Sequence, residues 1–545
     1  MVNWNVLGEY KENSDVVSEI LKKRGITDKE DFLKTHSLKE CVEKMPADFK
    51  KSLKKASEFI NESMGLERKI VVFGDYDSDG VNATAILYNF LKKEKGYDKV
   101  SYFIPNRFDH SYGISKAAID DVLKETGNKE PVLFITVDVG ITAFEEVEYI
   151  KKAGNFVIVT DHHQKPEKIP NADCIVWNDT MCGAEISWLL SRFLGSKNAT
   201  SVSMAALATV TDLQKMTGFN REIVKKGLEV LNSNPPLGLK KLLEVSGKQS
   251  SEITSYELGW VLGPRLNASG RMETAKDSIG ILVEDDKKVL SELAESLNSK
   301  NIQRQEKTLE MYEVAADFDK KGEKKLPKVI FSSDKKYHEG IIGLVAAKLV
   351  QTYYRPAIVM CVMDDYAKGS VRSIAGVNIV EMLREFSDMF IDLGGHPMAA
   401  GFTIDKKKIP QFQKKFLKYA DGKIDDKFLT PTLNVDMKIP VSIINERLLN
   451  EIEKMKPFGI GNEQPLFVSE DLGIVNADII GKDKQHLKLS LYDGNKYYKA
   501  IYFGGSEHEN DLKPGTKIDL VYTLKKNEYN GNKYVDLVVR DFRKV

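Results

Sequence analysis

Between residues 69 and 215 the chain repeats one pattern, in which short apolar, β-branched runs alternate with helix-like stretches. The runs are Ile70 to Phe73, Val100 to Ile104, Val132 to Val137, Phe156 to Thr160 and Ile175 to Trp177. Strands so uniformly apolar need cover on both faces, and intervening helices supply it, so the spacing predicts βαβ units and a mostly parallel sheet. In such a sheet the C-terminal strand ends meet along one edge, where ligands bind.

At 545 residues the chain exceeds one core, and its length implies three or four domains. A first domain, 1–280, holds the parallel sheet behind a helical, Lys-rich opening. Residues 284–318 contain no Gly or Pro and 14 charged side chains, with Leu290, Leu293 and Leu297 at helical spacing. That predicts a long, solvent-exposed connecting helix within 281–320. A second α/β pattern occupies 321–425: strand Val329 to Ser332, helix Ile341 to Tyr354, strands Ala357 to Met363 and Gly369 to Arg372, and helix Val377 to Phe386. In the last domain, 426–545, short strands past Phe467 and turn signals at Asp493-Gly494 and Asn530-Gly531-Asn532 predict a small barrel or sandwich.

With 80 Lys and Arg against 80 Asp and Glu, no global positive field marks a polyanionic partner, so any nucleic-acid surface must be local. Four cysteines without a CxxC pair fit a reducing cytosol and no zinc knuckle. The opening MVNWNVLGEY lacks a signal-peptide pattern, and the longest apolar runs fall short of a membrane span. A soluble cytoplasmic protein with no membrane partner is expected.

Chemistry enters at Val72-Phe73-Gly74-Asp75-Tyr76-Asp77-Ser78-Asp79-Gly80, where three carboxylates alternate directly after a strand. Extended backbone would aim all three to one side, and carboxylates so close repel unless a divalent cation neutralises them. The twelfth position of a calcium-binding EF-hand loop would be Ile86, and a strand stands where that motif needs a helix, so calcium is excluded. Asp138 follows another apolar run, Asp161-His162-His163 a third, and Asp212 closes Ala208-Thr209-Val210-Thr211. One Asp after a strand is usually a helix cap, and one His usually structural; four clusters converging on a single sheet edge are harder to ascribe to capping. Carboxylate oxygens with one or two imidazoles favour Mn²⁺ or Mg²⁺. Two such ions, about 3.5 to 4 Å apart, suit in-line hydrolysis of a phosphate ester or anhydride.

These four segments resemble, in order, the motifs of the DHH phosphoesterase superfamily. Gly394-Gly395-His396-Pro397-Met398-Ala399-Ala400-Gly401 resembles the motif of its associated C-terminal substrate domain. Leu262-Gly263-Pro264-Arg265-Leu266-Asn267-Ala268-Ser269-Gly270-Arg271 and Pro457-Phe458-Gly459-Ile460-Gly461-Asn462 are similar to segments of the RecJ family of single-strand-specific 5'-to-3' exonucleases. The resemblance runs from Trp4 to the C-terminal barrel. It implies two α/β domains, a DHH domain and a DHH-associated domain, joined by the long helix, with the barrel as an OB-fold. It also implies two catalytic cations, Mn²⁺ or Mg²⁺, held by Asp77, Asp79, Asp138, His162 and Asp212, with Asp138 bridging and Asp75 a ligand or its support. Asp75, Asp138 and His163 are the residues it assigns to catalysis, His163 contacting phosphate or orienting its neighbours. The implied partners are single-stranded DNA, a single-stranded-DNA-binding protein and a helicase, and the implied state is a monomer serving DNA repair and recombination. Asn82, where relatives carry Thr or Ser, and Asp109-His110-Ser111 before Tyr112-Gly113 depart from the pattern without touching an implied ligand.

For the strand itself the family-like motifs single out Arg107, Arg265, Asn267, Arg271, Ser370, Arg372, Gly394, Gly395 and His396. Arg forks suit phosphate oxygens, and small glycines allow close backbone approach. Ser370 and Arg372 alternate on one strand, so with Arg107 they could surround a terminal 5' phosphate. Tyr497, Tyr498, Tyr502 and Tyr534 are either stacking platforms or barrel core. Two other readings stay open: a phosphodiesterase for short oligonucleotides or cyclic dinucleotides, and a catalytically inactive replication scaffold.

Overall fold

The structure, a computed structural model, describes residues 2–110, 113–127, 130–248, 252–318, 326–529 and 532–545. Ser111, Tyr112 and the turn residues Asn530 and Gly531 lie outside them. The chain divides into two compact units, Ser37–Leu429 and a second that joins Met1–His36 to Thr430–Val545.

In the larger unit the five expected strands are present within a residue of their expected ends: β1 (Lys69–Phe73), β2 (Val100–Phe103), β3 (Val132–Val137), β4 (Phe156–Asp161) and β5 (Cys174–Trp177). They form a wholly parallel sheet in the order β2-β1-β3-β4-β5. Strand alternation divides its side chains between two cores. Ile70, Val72, Leu133, Ile135 and Ile158 enter one, and Val71, Phe73, Phe134, Val157 and Val159 the other. Full burial of each such side chain contributes about 1.5–3 kcal/mol.

Four helices frame that edge: α1 (Ser78–Asn89), α2 (Gly183–Phe193), α3 (Val202–Thr211) and α4 (Gly263–Met272). The expected connecting helix is α5 (Lys287–Ala316), capped by Asp286 and seated through Leu290, Ala294 and Leu297. Beyond it, α6 (Ile342–Tyr353) packs on a second sheet of β6 (Ile330–Asp334), β7 (Ala357–Val362), β8 (Tyr366–Arg372), β9 (Phe390–His396) and β10 (Ala399–Asp405), in the order β9-β10-β8-β7-β6. The helix read at 377–386 spans Ile379–Arg384. Gly394 and Gly395, read as allowing close backbone approach, lie in the edge strand β9, paired with Gly401 and Ala400.

In the smaller unit β11 (Phe467–Ile480), β12 (His486–Tyr492), β13 (Tyr497–Tyr502), β14 (Lys517–Tyr529) and β15 (Asn532–Lys544) pair in the order β11-β12-β13-β15-β14, and β14 pairs back onto β11. The barrel is therefore closed. Its strands are not uniformly short, because β11, β14 and β15 run 13 or 14 residues and bend at register shifts. Tyr498 is core, 8% exposed and bonded to Asp493, whereas Tyr497 is 65% exposed. The chain opening, read from sequence as part of the first α/β domain, belongs with the barrel: Asn3–Val6 pairs in parallel with Thr432–Val435, and Val16, Val17, Ile20 and Leu21 join the barrel core. Arg24 clamps this junction through Asp436, at 3.0 Å, and the carbonyl of Glu463. Among the described residues no helix is long and apolar enough to cross a membrane.

Candidate active site

The extended array expected of Asp75, Asp77 and Asp79 does not form, because α1 begins at Ser78. Asp77 is its N-cap, accepting the N–H groups of Asp79 and Gly80 at 2.9 and 3.1 Å. Ser78 N–H is held by Asn267 Oδ1 at 2.8 Å. Gly80 is required by packing: a Cβ there would stand 2.6 Å from the backbone of Asp75. Asp79 points instead at the N-terminus of α2, where Gly183 and Ala184 each donate to its carboxylate at 2.7 Å. A turn plus a helix start therefore gathers the three carboxylates.

Asp138 follows β3 with φ of 64°, a left-handed conformation unusual for a non-glycine residue and found where surrounding structure imposes it. Asp161 ends β4 and organises the imidazoles, accepting from the N–H groups of Ile141, His162 and His163 and pairing with His163 Nδ1 at 2.8 Å. His162 Nε2 lies 3.0 Å from Asp138 Oδ1, 3.7 Å from Asp79 and 3.8 Å from Asp212. Asp212, expected at the end of a strand, does not lie on one. The small, apolar segment before it is the buried helix α3, and Asp212 is its C-cap.

Three groups of ligating atoms, each within 4.8 Å, result: Asp75, Asp77 and Asp138; Asp138, His162 and His163; and Asp79, His162 and Asp212. Their electrostatics are those of a buried carboxylate pocket only partly offset by Arg107, Arg271 and His163. Burial and Asp77 push Asp75 up to about 8, and burial and Asp79 push Asp212 up to about 8. Asp77 and Asp138 are raised by burial and Asp79 in the same way. Oδ1 of Asp75 and of Asp138 are buried without a hydrogen-bond partner, the latter meeting His162 Nε2 at short range but without hydrogen-bond geometry. Orphaned carboxylate oxygens beside an imidazole fit divalent cations with oxygen and imidazole ligands. Burial lowers His162, keeping the imidazole neutral as a ligand requires. His163 differs: burial opposes its charge, but Asp161 outweighs that and raises it to about 9.

The expected strand-binding residues separate into groups. Arg107 lies over the Tyr76 ring at 4.2 Å with its Nε unpaired, and desolvation together with Arg107 lowers half-buried Arg271 to about 10. Arg271 also senses Arg304 and Arg372. Arg372 Nη1 donates to Ser370 Oγ at 3.2 Å, both side chains bordering Gly343 in the first turn of α6. His396 lines a cavity of about 480 Å³ with Asp161 and His163. Gly394 is open to solvent, while Gly395, at φ of 144°, has no room for a Cβ against Ala399 O. Arg265 spends its guanidinium on Asn298 and Val261 O, and Asn267 serves the Asp77 turn. Three site residues were not singled out from sequence. Asp161 was visible within Asp161-His162-His163, and Glu185, raised to about 8 by burial beneath the Cys182 turn, was signalled by an acid in an apolar helix. Arg304, on the charged surface helix, carried no signal.

Residues 69–227 match the DHH family N-terminal domain, 326–422 the DHHA1 domain and 435–541 the RecJ OB domain. The single-stranded-DNA-specific exonuclease RecJ of Bacillus subtilis (strain 168) is 31% identical over 553 residues, spanning 98% of this chain and 69% of its own. Its Haemophilus influenzae counterpart is 29% identical, spanning 89% and 90%. The crystal structure of RecJ in complex with Mn²⁺ from Thermus thermophilus superposes with a TM-score of 0.83 at 27% identity, covering 100% of this chain and 80% of that one.

Proposed function

This chain belongs to the RecJ family, and from that premise we propose how its residues carry out the family's reaction. The protein is a single-stranded-DNA-specific 5'-to-3' exonuclease that hydrolyses phosphodiester bonds with two divalent cations, Mn²⁺ or Mg²⁺, in DNA repair and recombination. The observation that carries the residue assignment is the meeting of two donor groups at one carboxylate. Asp138 belongs with Asp75 and Asp77 on one side and faces His162, with Asp79 and Asp212, on the other.

Asp77, Asp79, Asp138, His162 and Asp212 would hold the two ions, with Asp138 shared by two of the donor groups and Asp75 completing the first. When bound, the ions would supply Lewis acidity at the scissile phosphate. The chain's own residues position the reactants. Asp161 keeps His163 charged and oriented as a donor to a phosphate oxygen. Arg107, Ser370 and Arg372 hold the terminal 5' phosphate, with Arg271 reinforcing their charge and His396 closing the far side of the cleft. The barrel binds the strand, exposed Tyr497 offering a ring face. A single-stranded-DNA-binding protein and a helicase are the partners of a cytoplasmic monomer, since an enzyme confined to single strands needs them delivered.

End-labelled single-stranded, double-stranded and dinucleotide substrates with Mn²⁺ or Mg²⁺ test the reading. Stepwise loss of 5' nucleotides from the single strand, with slower cleavage of the dinucleotide and none of the duplex, is expected, and equal cleavage of the duplex or a preference for the dinucleotide would overturn it.

A further inference from the structure

Helix α4 lies alongside the site and relates its two ends. At the C-terminal end Arg271 sits in the field of Arg107, Arg304 and Arg372 and donates to Gly340 O. Midway, Asn267 holds the Ser78 N–H beside Asp77. At the N-terminal end Gly263 packs so closely that a Cβ would stand 2.2 Å from Thr211 Cγ2, next to Asp212. The carboxylates therefore lie between the arginines and the start of α4. A helix of 10 residues spans about 15 Å at ~1.5 Å per residue, the length of roughly four stacked nucleotides at ~3.4 Å each.

Just before α4 the chain makes a wide π-helical turn, Leu258–Leu262. It presents Trp260, 72% exposed, beside Tyr256, 60% exposed, with ring centroids 6.3 Å apart and planes inclined by 27°. A Cβ on the intervening Gly259 would stand 3.3 Å from Val210, so this turn adjoins the segment leading to Asp212. Two large rings left in water, nearly parallel, have apolar surface to bury. They stand at the end of α4 opposite the arginines.

We propose that Trp260 and Tyr256 form a stacking platform for the bases of the strand beyond the scissile bond, about four nucleotides from a 5' end held at the arginines. The inference rests on the exonuclease reading and adds a length requirement to it. Every base has a π-face, so the platform tolerates any sequence. Continuity with the carboxylate edge favours a nucleic-acid strand over a protein partner as the occupant.

The test uses the full chain, first without metal, in EDTA. A twelve-nucleotide oligothymidylate should quench the tryptophan emission of the wild type, and Trp260→Phe should remove most of the quenching while keeping the affinity. Trp260→Ala should weaken binding of that oligonucleotide roughly five- to hundredfold. With Mn²⁺, its KM should rise for the twelve-nucleotide strand and not for a dinucleotide. Absent quenching in the wild type, unchanged affinity in folded Trp260→Ala, or equal losses on both substrates would overturn the platform. Quenching without hydrolysis would instead overturn the exonuclease reading and leave the platform standing. Should Trp260→Ala misfold, Tyr256→Ala carries the same comparison at the neighbouring ring.

Discussion

Gly183 leaves Asp138 no room to move: a Cβ on Gly183 would lie 2.6 Å from Asp138 Cβ and 2.9 Å from its Oδ1. The same residue donates its N–H to Asp79 at 2.7 Å. One helix start thus positions a carboxylate from each donor group. Gly183→Ala should displace Asp138, destabilise the fold by about 1–3 kcal/mol through overpacking and lower turnover at least a hundredfold. Thermal melts and steady-state kinetics check both effects. Wild-type turnover would separate Asp138 placement from activity.

Asp138→Ala should abolish hydrolysis while leaving DNA retention largely intact. Without metal it should also raise the melting temperature, because it removes a carboxyl whose charge is penalised first by burial and then by Asp79 and Asp77. Paired melts in EDTA and in Mn²⁺ read this. Activity within a few-fold of wild type would rule out the bridging role.

Asp75 and Asp212, at about 8 in the folded chain, compare with about 4 in an unfolded one. The folded, metal-free protein holds protons that the unfolded chain releases. This contribution to stability is therefore complete below about pH 4 and is lost as the pH rises to about 8. Cations must displace those protons, so metal binding should release protons near neutrality. The melting-temperature gain from Mn²⁺ should be small at pH 5.5 and large at pH 8.5. A gain independent of pH would contradict the raised values.

Arg372→Ala removes a charge-assisted contact worth about 1.5–3 kcal/mol, or roughly ten- to hundredfold in binding. Burial alone lowers this guanidinium, so its loss should act on ligand binding. On matched strands the variant should lose most of any advantage of a 5' phosphate over a 5' hydroxyl. An undiminished preference in a folded variant would exclude Arg372 from the 5' end.

The parallel sheet was legible because full burial leaves unbroken apolar runs, and β3 is buried at every position. Its acidic strand ends were legible for the same reason. Asp212 was placed on the wrong kind of element: Val202–Thr211 is as apolar as a strand, being a helix buried on nearly all sides, where helical periodicity vanishes. The bend from Asp77 into α1 was hidden because alternating aspartates serve a strand and an N-cap equally well. Tyr498 and Tyr497 differ only in which barrel face they occupy, which neighbouring residues alone do not reveal. The union of Asn3–Val6 with Thr432–Val435 left no local trace.

That union has a consequence for synthesis. Residue 3 pairs with residue 432, so at about 5–20 residues per second the opening strand waits roughly 20–90 s for its partner to leave the ribosome. Throughout that interval Val16, Val17, Ile20 and Leu21, which end in the barrel core, have nothing to bury them. The nuclease core between the two halves can fold first, while the chain's first segment stays without its pairing strand until translation is nearly over.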